Sequence, residues 1–476
     1  MEIRYGIDAT PKQMGWSKFI ATSFQQILAI IAATILVPLV VTQQSNNMIV
    51  MSPAAALIGA GLGTLVYQLF VRRRSPVFLG SSFAFLGAMI AAAQAGYGFW
   101  GLIIGVAFAA LVYVVIAVVI HFVGSKWVNR IMQPAIIGAT VALIGLSLSG
   151  TATDWAMHNG GSDYNLISIV CALVTFIVIV LSATKGNKTM KLIPFIIGIG
   201  AGYLLAGIFT AFGHIFHVDY LKVLDISIFT NIYGAEFSYR WFVDLPQLTI
   251  VEAIKGGFNL NGADIGSIAL MFAPIALVVF AEHIADHKNL STIIKKDLIT
   301  DPGLTRTLLG DGIGSFVGAV FGGCANTTYG ESIGCVAITG NASTWSIVGA
   351  SIGCVAIAFL TPLVTIINAI PKSVMGGACI ALYGFIAVSG LNMLRKVDLT
   401  ENRNLFVVSA ILVSGIGGLV LTFGKVQITS IAVALLLGIL TNWILGGFSK
   451  ANCEKAEKQA SQLIADENTE GADSQE

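Results

Sequence analysis

Apolar runs of about 20 residues recur along almost the whole chain, broken by short polar stretches, and a run of that length is what one helix needs to cross a bilayer. The pattern predicts fourteen segments. Phe19–Val41, Ser52–Val71, Ser82–Ala93, Gly101–Val123, Ile131–Leu148, Ile167–Leu181 and Leu192–Phe212 come first. After a long loop, Gly213–Asp264, follow Ile265–His283, Leu308–Gly323, Ser332–Thr339, Ile347–Ile367, Met375–Met393, Leu405–Phe423 and Ile428–Leu445. The third and tenth are too short to span alone, and each follows a stretch of small and polar residues: Gly80-Ser81-Ser82 and Asn326-Thr327-Thr328-Tyr329-Gly330. Non-helical backbone at membrane depth is tolerated only where it is buried in protein or lines a cavity. Both segments are therefore predicted to be discontinuous, a short extended piece followed by a half-helix.

The two interruptions point to an internal repeat. Phe83 and Tyr329 stand 246 positions apart, and moving the first segment by that offset lands it on 265–287, the eighth. An offset of seven segments reverses membrane orientation, which predicts a seven-plus-seven inverted repeat, a recurring plan of secondary transporters.

Composition agrees with the pattern. Hydrophobic residues make up 56% of the 476 and charged residues 11%, against roughly 25% charged in soluble domains; the mean hydropathy is +0.84. The predicted class is an all-α polytopic membrane protein. A net charge of +1 without a basic patch argues against a nucleic-acid partner. Cys171, Cys324, Cys335, Cys354, Cys379 and Cys453 are scattered without a CxxC pair and read as packing residues, with no metal site. No Walker loop, HExxH or dinucleotide fingerprint is present, so an enzyme is not expected and no cofactor is implied. Met1–Lys18 is polar and lacks the apolar stretch of a signal peptide, so the first segment itself is expected to direct insertion.

Charge fixes an expected orientation. With the N-terminus inside and fourteen crossings, 21 of the 26 Lys and Arg fall inside, including Arg72, Arg73, Arg74, Lys126, Arg130, Lys191, Lys288, Lys295, Lys296, Arg395, Lys396, Lys450, Lys455 and Lys458. Lys222, Arg240, Lys255, Lys372 and Lys425 fall outside. This is the positive-inside distribution, with both termini cytoplasmic.

Acidic residues inside apolar segments are functional candidates by default. Glu282 and Asp286 are four apart and share a helix face. Two carboxylates together in a partly dry site do not both ionise cheaply, so one is expected to hold a proton. Glu331 opens the tenth half-helix, where free N–H groups cluster, and Phe83 opens the facing one. Carboxyl acceptors beside backbone donors suit a flat heterocycle with alternating C=O and N–H groups. Asp311, within Gly310-Asp311-Gly312, reads either as functional or as a hydrogen-bond acceptor between helices; His283 and His287 read as structural or as relays on another face than Glu282.

The stretch Glu331-Ser332-Ile333-Gly334 running to Thr339 resembles the signature of the nucleobase–ascorbate transporter family, with Ser332 in place of its usual Asn. Gln25-Gln26 through Ala33 to Pro38, Gly80-Ser81-Ser82-Phe83, Ala281-Glu282-His283, and Lys296-Asp297-Leu298 to Asp301-Pro302-Gly303-Leu304 are also similar to it. The resemblance implies that Glu282 and Glu331 hold a nucleobase, that the N–H groups of Phe83 and Gly330 assist, and that Ala33 and Tyr329 shape the pocket. It implies proton coupling through Glu282, Asp286 and Asp311, with sodium open as an alternative ion. It also implies a homodimer in the bacterial inner membrane and a core domain moving against a gate domain.

In those terms the chain divides into a cytoplasmic N-terminus 1–18, core 19–123 and 265–367, gate 124–212 and 368–446, an external loop 213–264 and a cytoplasmic tail 447–476. Glu331 points to uracil as substrate. Asp286 stands where uracil members carry His, and with Asp311 it keeps xanthine or another purine as the alternative.

Overall fold

A computed structural model describes residues 3–124, 126–234, 237–395, 397–424 and 426–446. The expected tail 447–476, with Cys453, Lys450, Lys455 and Lys458, lies outside the described residues, as do Lys396 and Lys425; the side chains of Lys126 and Arg130 are likewise not described. Helices α1 Trp16–Gln44 and α2 Pro53–Phe70 lead into strand β1 Leu79–Ser81. Then come α3 Leu86–Gln94, α4 Gly98–Val123, α5 Pro134–Ser147, α6 Leu166–Thr184, α7 Pro194–Ile215, α8 Gly262–Ile294 and α9 Leu304–Gly322. Strand β2 Asn326–Thr328 precedes α10 Gly330–Thr339, α11 Thr344–Ile357, α12 Lys372–Leu394 and α13 Asn402–Ile416, and hairpin strands β3 Leu421–Phe423 and β4 Val426–Ile428 precede α14 Ser430–Ile444.

Local chemistry sets many of these ends. Ser52 caps α2 by accepting from the Ala55 N–H at 3.2 Å, with Pro53 in the first turn. Asn261 and Asp264 form a reciprocal capping box on α8. Gly323 and Gly340 close α9 and α10 in the left-handed conformation.

Among the described residues, eight helical stretches are long and apolar enough to cross a membrane. Their outward faces are apolar: Leu111, Val115, Val118 and Phe122 form one exposed stripe on α4, and Leu204, Ile208, Phe212 and Ile215 another on α7. That polarity is the reverse of a water-facing helix and matches a hydrocarbon surround.

Three expectations are corrected. The eighth segment, expected to end at His283, continues to Ile294, so Asp286 and His287 sit inside the helix rather than at its surface end. The eleventh breaks after Ile357 and resumes as a short helix Thr361–Asn368 started by Pro362. The thirteenth stops at Ile416, because Gly417 and Gly418 (φ +73°) end the helix; the β-branched positions Thr422, Val426 and Ile428 then pair as the β3–β4 hairpin. The loop 213–264 contains helices Ser227–Tyr233 and Thr249–Gly256 and docks on the α11 break, where Asp244 N–H donates to the Phe359 carbonyl at 3.1 Å and Thr361 N–H to the Phe242 carbonyl at 3.0 Å.

Packing runs in two groups. α2 packs on α9, α4 on α8 and α9, and α11 on α1 and α2; separately, α5 packs on α12 and α13, α6 on α7 and α12, and α13 on α14. The α2–α9 contact is glycine on glycine. Gly59 and Gly63 face Gly314, Gly318 and Gly322, and a Cβ on Gly59 would lie 2.5 Å from the Gly318 carbonyl oxygen. Small residues four apart let the two backbones touch where lipid gives no hydrophobic drive to association. At one end of this pair Arg74 donates to Asp301 at 2.8 Å, and Lys296 lies 3.0 Å from the same carboxylate. The two cations hold the Asp301 carboxyl below its usual range, so the clasp persists into mildly acid pH and is lost only as the carboxylate protonates.

Gly59→Ala is expected to destabilise the protein by about 1–3 kcal/mol through overpacking. Gly200→Ala on α7, where a Cβ meets no atom within 4 Å, should leave stability unchanged or raise it slightly. Thermal unfolding in detergent reads both; equal midpoints for the two variants would refute the close approach of α2 and α9.

Candidate substrate site

The site begins with two strands that cross inside the protein. β1 and β2 pair antiparallel in the register Leu79↔Thr328, Gly80↔Thr327, Ser81↔Asn326. The pairing runs on at both ends: Ser82 N–H donates to the Ala325 carbonyl at 2.8 Å and Tyr329 N–H to the Phe78 carbonyl at 3.2 Å. Side chains satisfy backbone groups the ladder leaves over. Leu79 N–H donates to Thr64 Oγ1 at 2.9 Å, Asn326 N–H donates to Ser315 Oγ at 2.9 Å, and Asn326 Nδ2 ties the strand to the Gly59 carbonyl at 3.0 Å. Gly80 is required, since a Cβ there would run into the Tyr329 ring. The Tyr329 hydroxyl donates to the Ser81 carbonyl at 2.9 Å, which fixes that ring as a wall.

α10 starts directly after β2, with Tyr329 extended at its N-cap and no side chain capping the first turn. The N–H groups at Gly330 and Glu331 therefore open the helix toward the space in front of it. On the other strand the helix starts later than expected. Ser82 still belongs to the extended run, and Phe83 lies in the bend before α3 begins at Leu86, instead of opening the helix.

α8 supplies the facing wall. Glu282 and Asp286, one turn apart, face a cavity of about 2110 Å³ that Phe83, Tyr329, Gly330 and Glu331 also line. Asp286 accepts from Thr328 Oγ1 at 2.5 Å, a bond from β2 to α8. No hydrogen bond or ion pair ties the Glu282 or Glu331 carboxyl group to another described residue. Phe83 meets Tyr383 of α12 edge to face, 5.6 Å between ring centres. Five of the six expected substrate residues thus surround one space. Ala33 does not: it is buried within α1, and Ala29, one turn earlier, lines the cavity.

Asp311 stands elsewhere. Its Oδ2 is 2.7 Å from His283 Nδ1, and Thr307 Oγ1 is 3.0 Å from the other ring nitrogen, all buried between α8 and α9. His287 stacks on His283 with ring centres 4.0 Å apart, and its Nε2 is 2.9 Å from the Tyr67 hydroxyl of α2. α8 therefore has two polar faces, acids toward the cavity and imidazoles toward its neighbours. The four-residue spacing of each pair is visible in the sequence; the partners Thr328, Thr307 and Tyr67 carry no signal of their own in it.

Comparison with known proteins follows this geometry. A family model described as a permease family matches residues 17–424. The chain is 36% identical over 457 residues to a uracil permease of Bacillus caldolyticus, covering 94% of this chain and 96% of that one. It is 33% identical to a uracil permease of Bacillus subtilis (96% and 98% covered) and 29% identical to a putative pyrimidine permease of Escherichia coli (92% of each). In fold it is similar to SLC26A9 (TM-score 0.56, 12% identity, 90% of this chain and 65% of that one). The transmembrane domain of the cyanobacterial bicarbonate transporter BicA is similar as well (TM-score 0.51, 12% identity, 89% and 97%).

Asp311→Ala would leave His283 Nδ1 without its buried partner, and is expected to cost about 1–3 kcal/mol. Asp301→Ala, which removes the half-exposed clasp, should move the unfolding midpoint far less. A loss at Asp301 as large as that at Asp311 would refute the weight given to the buried pair.

Proposed function

The chain belongs to the nucleobase–ascorbate transporter family through the permease model that its residues 17–424 match, and we propose that it imports uracil into the bacterial cell together with a proton. The observation that carries the reading is the cavity. Two carboxyl groups that bond to no other described residue, Glu282 and Glu331, share it with the uncapped start of α10 and with the rings of Phe83 and Tyr329. Uracil presents C=O and N–H groups in alternation along its edge. A protonated Glu282 offers an O–H to a ring C=O and a carbonyl oxygen to a ring N–H. Glu331 accepts from N–H, while the N–H groups at the start of α10 donate to C=O. Relatives named uracil permease, 36% and 33% identical over nearly the whole chain, support the choice of ligand.

Coupling follows if substrate binds only when Glu282 carries a proton, because each ligand then favours the other by the same free energy. Asp286, one turn from Glu282 and bonded by Thr328, tunes Glu282 or relays its proton in this reading. Sequestered between α8 and α9, Asp311 acts in this reading through His283, which adjoins Glu282 in the chain.

The two packing groups support a core of α1–α4 with α8–α11 and a gate of α5–α7 with α12–α14, arranged as fourteen crossings in two inverted halves. The cavity lies between them: Glu282 and Glu331 come from the first group, and Met132, Phe195, Leu382 and Ser389 from segments of the second. Lys191, Lys295, Lys296 and Arg395 also line it, a basic set expected of a cytoplasmic face, which supports an inward-open conformation. Alternating access is then the movement of core against gate around the fixed carboxylates.

Uptake of radiolabelled uracil by cells lacking their own permease is expected to collapse with a protonophore and to ignore excess xanthine. Loss of a charge-assisted acceptor in Glu331→Gln should cut uracil affinity by roughly tenfold or more. Uptake that survives the protonophore would remove the proton; blockage by xanthine, or an unchanged affinity in Glu331→Gln, would move the ligand to the purines.

A further inference from the structure

Uracil leaves most of the cavity unused. Its volume of about 2110 Å³ exceeds the roughly 300–1,000 Å³ of a site for a drug-sized ligand, and one pyrimidine ring fills only the inner end. Polarity changes along α8. Beyond Glu282 and Asp286 the lining turns basic, with Lys288 on α8, Lys295 and Lys296 just past it, Lys191 before α7 and Arg395 after α12; Asp297 is the acid among them. Lys296 is taken by Asp301 at 3.0 Å. Lys191, Lys288, Lys295 and Arg395 form no ion pair with another described residue.

The preference for positive charge on cytoplasmic loops accounts for Lys191, Lys295 and Arg395. It does not account for Lys288, which projects half-buried from within α8, two positions past Asp286. The Asp297 carboxylate acts on this ammonium from a distance but forms no ion pair with it, so a partly desolvated charge is left without a direct partner that an anion entering the cavity would supply.

We propose that the cavity also binds a nucleoside monophosphate from the cytoplasmic side, with its base against Glu282 and Glu331 and its phosphate on Lys288, and that this ligand excludes uracil. The inference rests on the uracil reading of the inner end. Lys288 stands six positions after Glu282, a rise of about 9 Å along a helix; the helix turns it off the Glu282 face, but both side chains line the cavity, and the long Lys288 stem with a ribose joining base to phosphate can span between them. The ammonium supplies a charge-assisted bond to a phosphate oxygen, and Lys295 and Arg395 at the mouth attract the dianion as it approaches. A nucleotide is what transfer of a phosphorylated ribose to the imported base produces, so its return to the cavity would act as product inhibition.

The test uses the full chain purified in detergent, with bound radiolabelled uracil displaced by uridine 5′-monophosphate, by uridine or by inorganic phosphate. The monophosphate should displace uracil about tenfold better than uridine, the worth of one charge-assisted contact, and phosphate alone should not displace it. Lys288→Gln should bring the monophosphate down to the level of uridine without changing uracil affinity, and Lys288→Arg should keep the preference. In the native chain, raising salt should narrow the gap between monophosphate and uridine, a readout that holds even if Lys288→Gln does not fold. A monophosphate no better than uridine, displacement by phosphate alone, or a preference that survives Lys288→Gln would overturn the proposal while leaving uracil binding in place. Failure of uracil itself to bind would instead defeat the reading of the inner end, and this proposal with it.

Discussion

Backbone N–H and C=O groups at the middle of a bilayer must be satisfied inside the protein, and the six paired residues of β1 and β2 meet that demand by bonding to each other. The site depends on this exchange. Each strand interrupts a helix, and each interruption leaves a half-helix whose first turn starts inside the protein instead of at its surface. Without the pairing, residues 79–82 and 325–329 would have to be helical, and the start of α10 would close over the space that Glu331 now faces. The glycines of α2 and α9 serve the same end. By letting the two helices touch, they bring Thr64, Gly59 and Ser315 close enough to take up the strand groups left over by the ladder.

α8 is anchored to this crossing by chemistry on both of its polar faces. Thr328 of β2 holds Asp286, while His283 and His287 reach Asp311, Thr307 and Tyr67 on α9 and α2. A helix pinned from two sides cannot rotate freely, so the direction of Glu282 is set in part by Asp311, Thr307 and Tyr67, which are not among the residues lining the cavity. Buried networks of this kind rigidify what they surround; of the buried side-chain polar atoms in this one, only Asp311 Oδ1 finds no partner among the described residues.

Much of the plan was legible in the sequence, for physical reasons. Span-length apolar runs, the two short segments and the polar stretches before them are composition signals, and each marks a real helix or strand. The facing of Glu282 and Asp286 follows from the four-residue period of a helix. What escaped was set by tertiary contact. The start of α3 was placed at Ser82, but Ser82 pairs with Ala325, so the helix waits until Leu86. Leu405–Phe423 reads as one apolar run, yet Gly417 and Gly418 divide it, and hydropathy does not register a turn made of glycine. Ala33 rests on resemblance; it is buried and not among the residues lining the cavity, while Ala29, one turn earlier, is. Thr328 was inside a stretch already singled out, but nothing in a lone threonine announces a carboxylate partner 42 positions earlier.

The two sets of acids differ in what holds them. Asp311 has a fixed partner in His283, and breaking that bond would leave a buried imidazole uncompensated. Glu282 and Glu331 bond to no other described residue and face the cavity, so a ligand entering it can supply their hydrogen bonds. An unpaired acid in a partly dry cavity is poorly stabilised as an anion when the site is empty, and its protonation is cheap for the same reason. In the proposed symport that cost would make the affinity for substrate depend on a proton already bound, and pairing Glu282 as Asp311 is paired would remove the dependence.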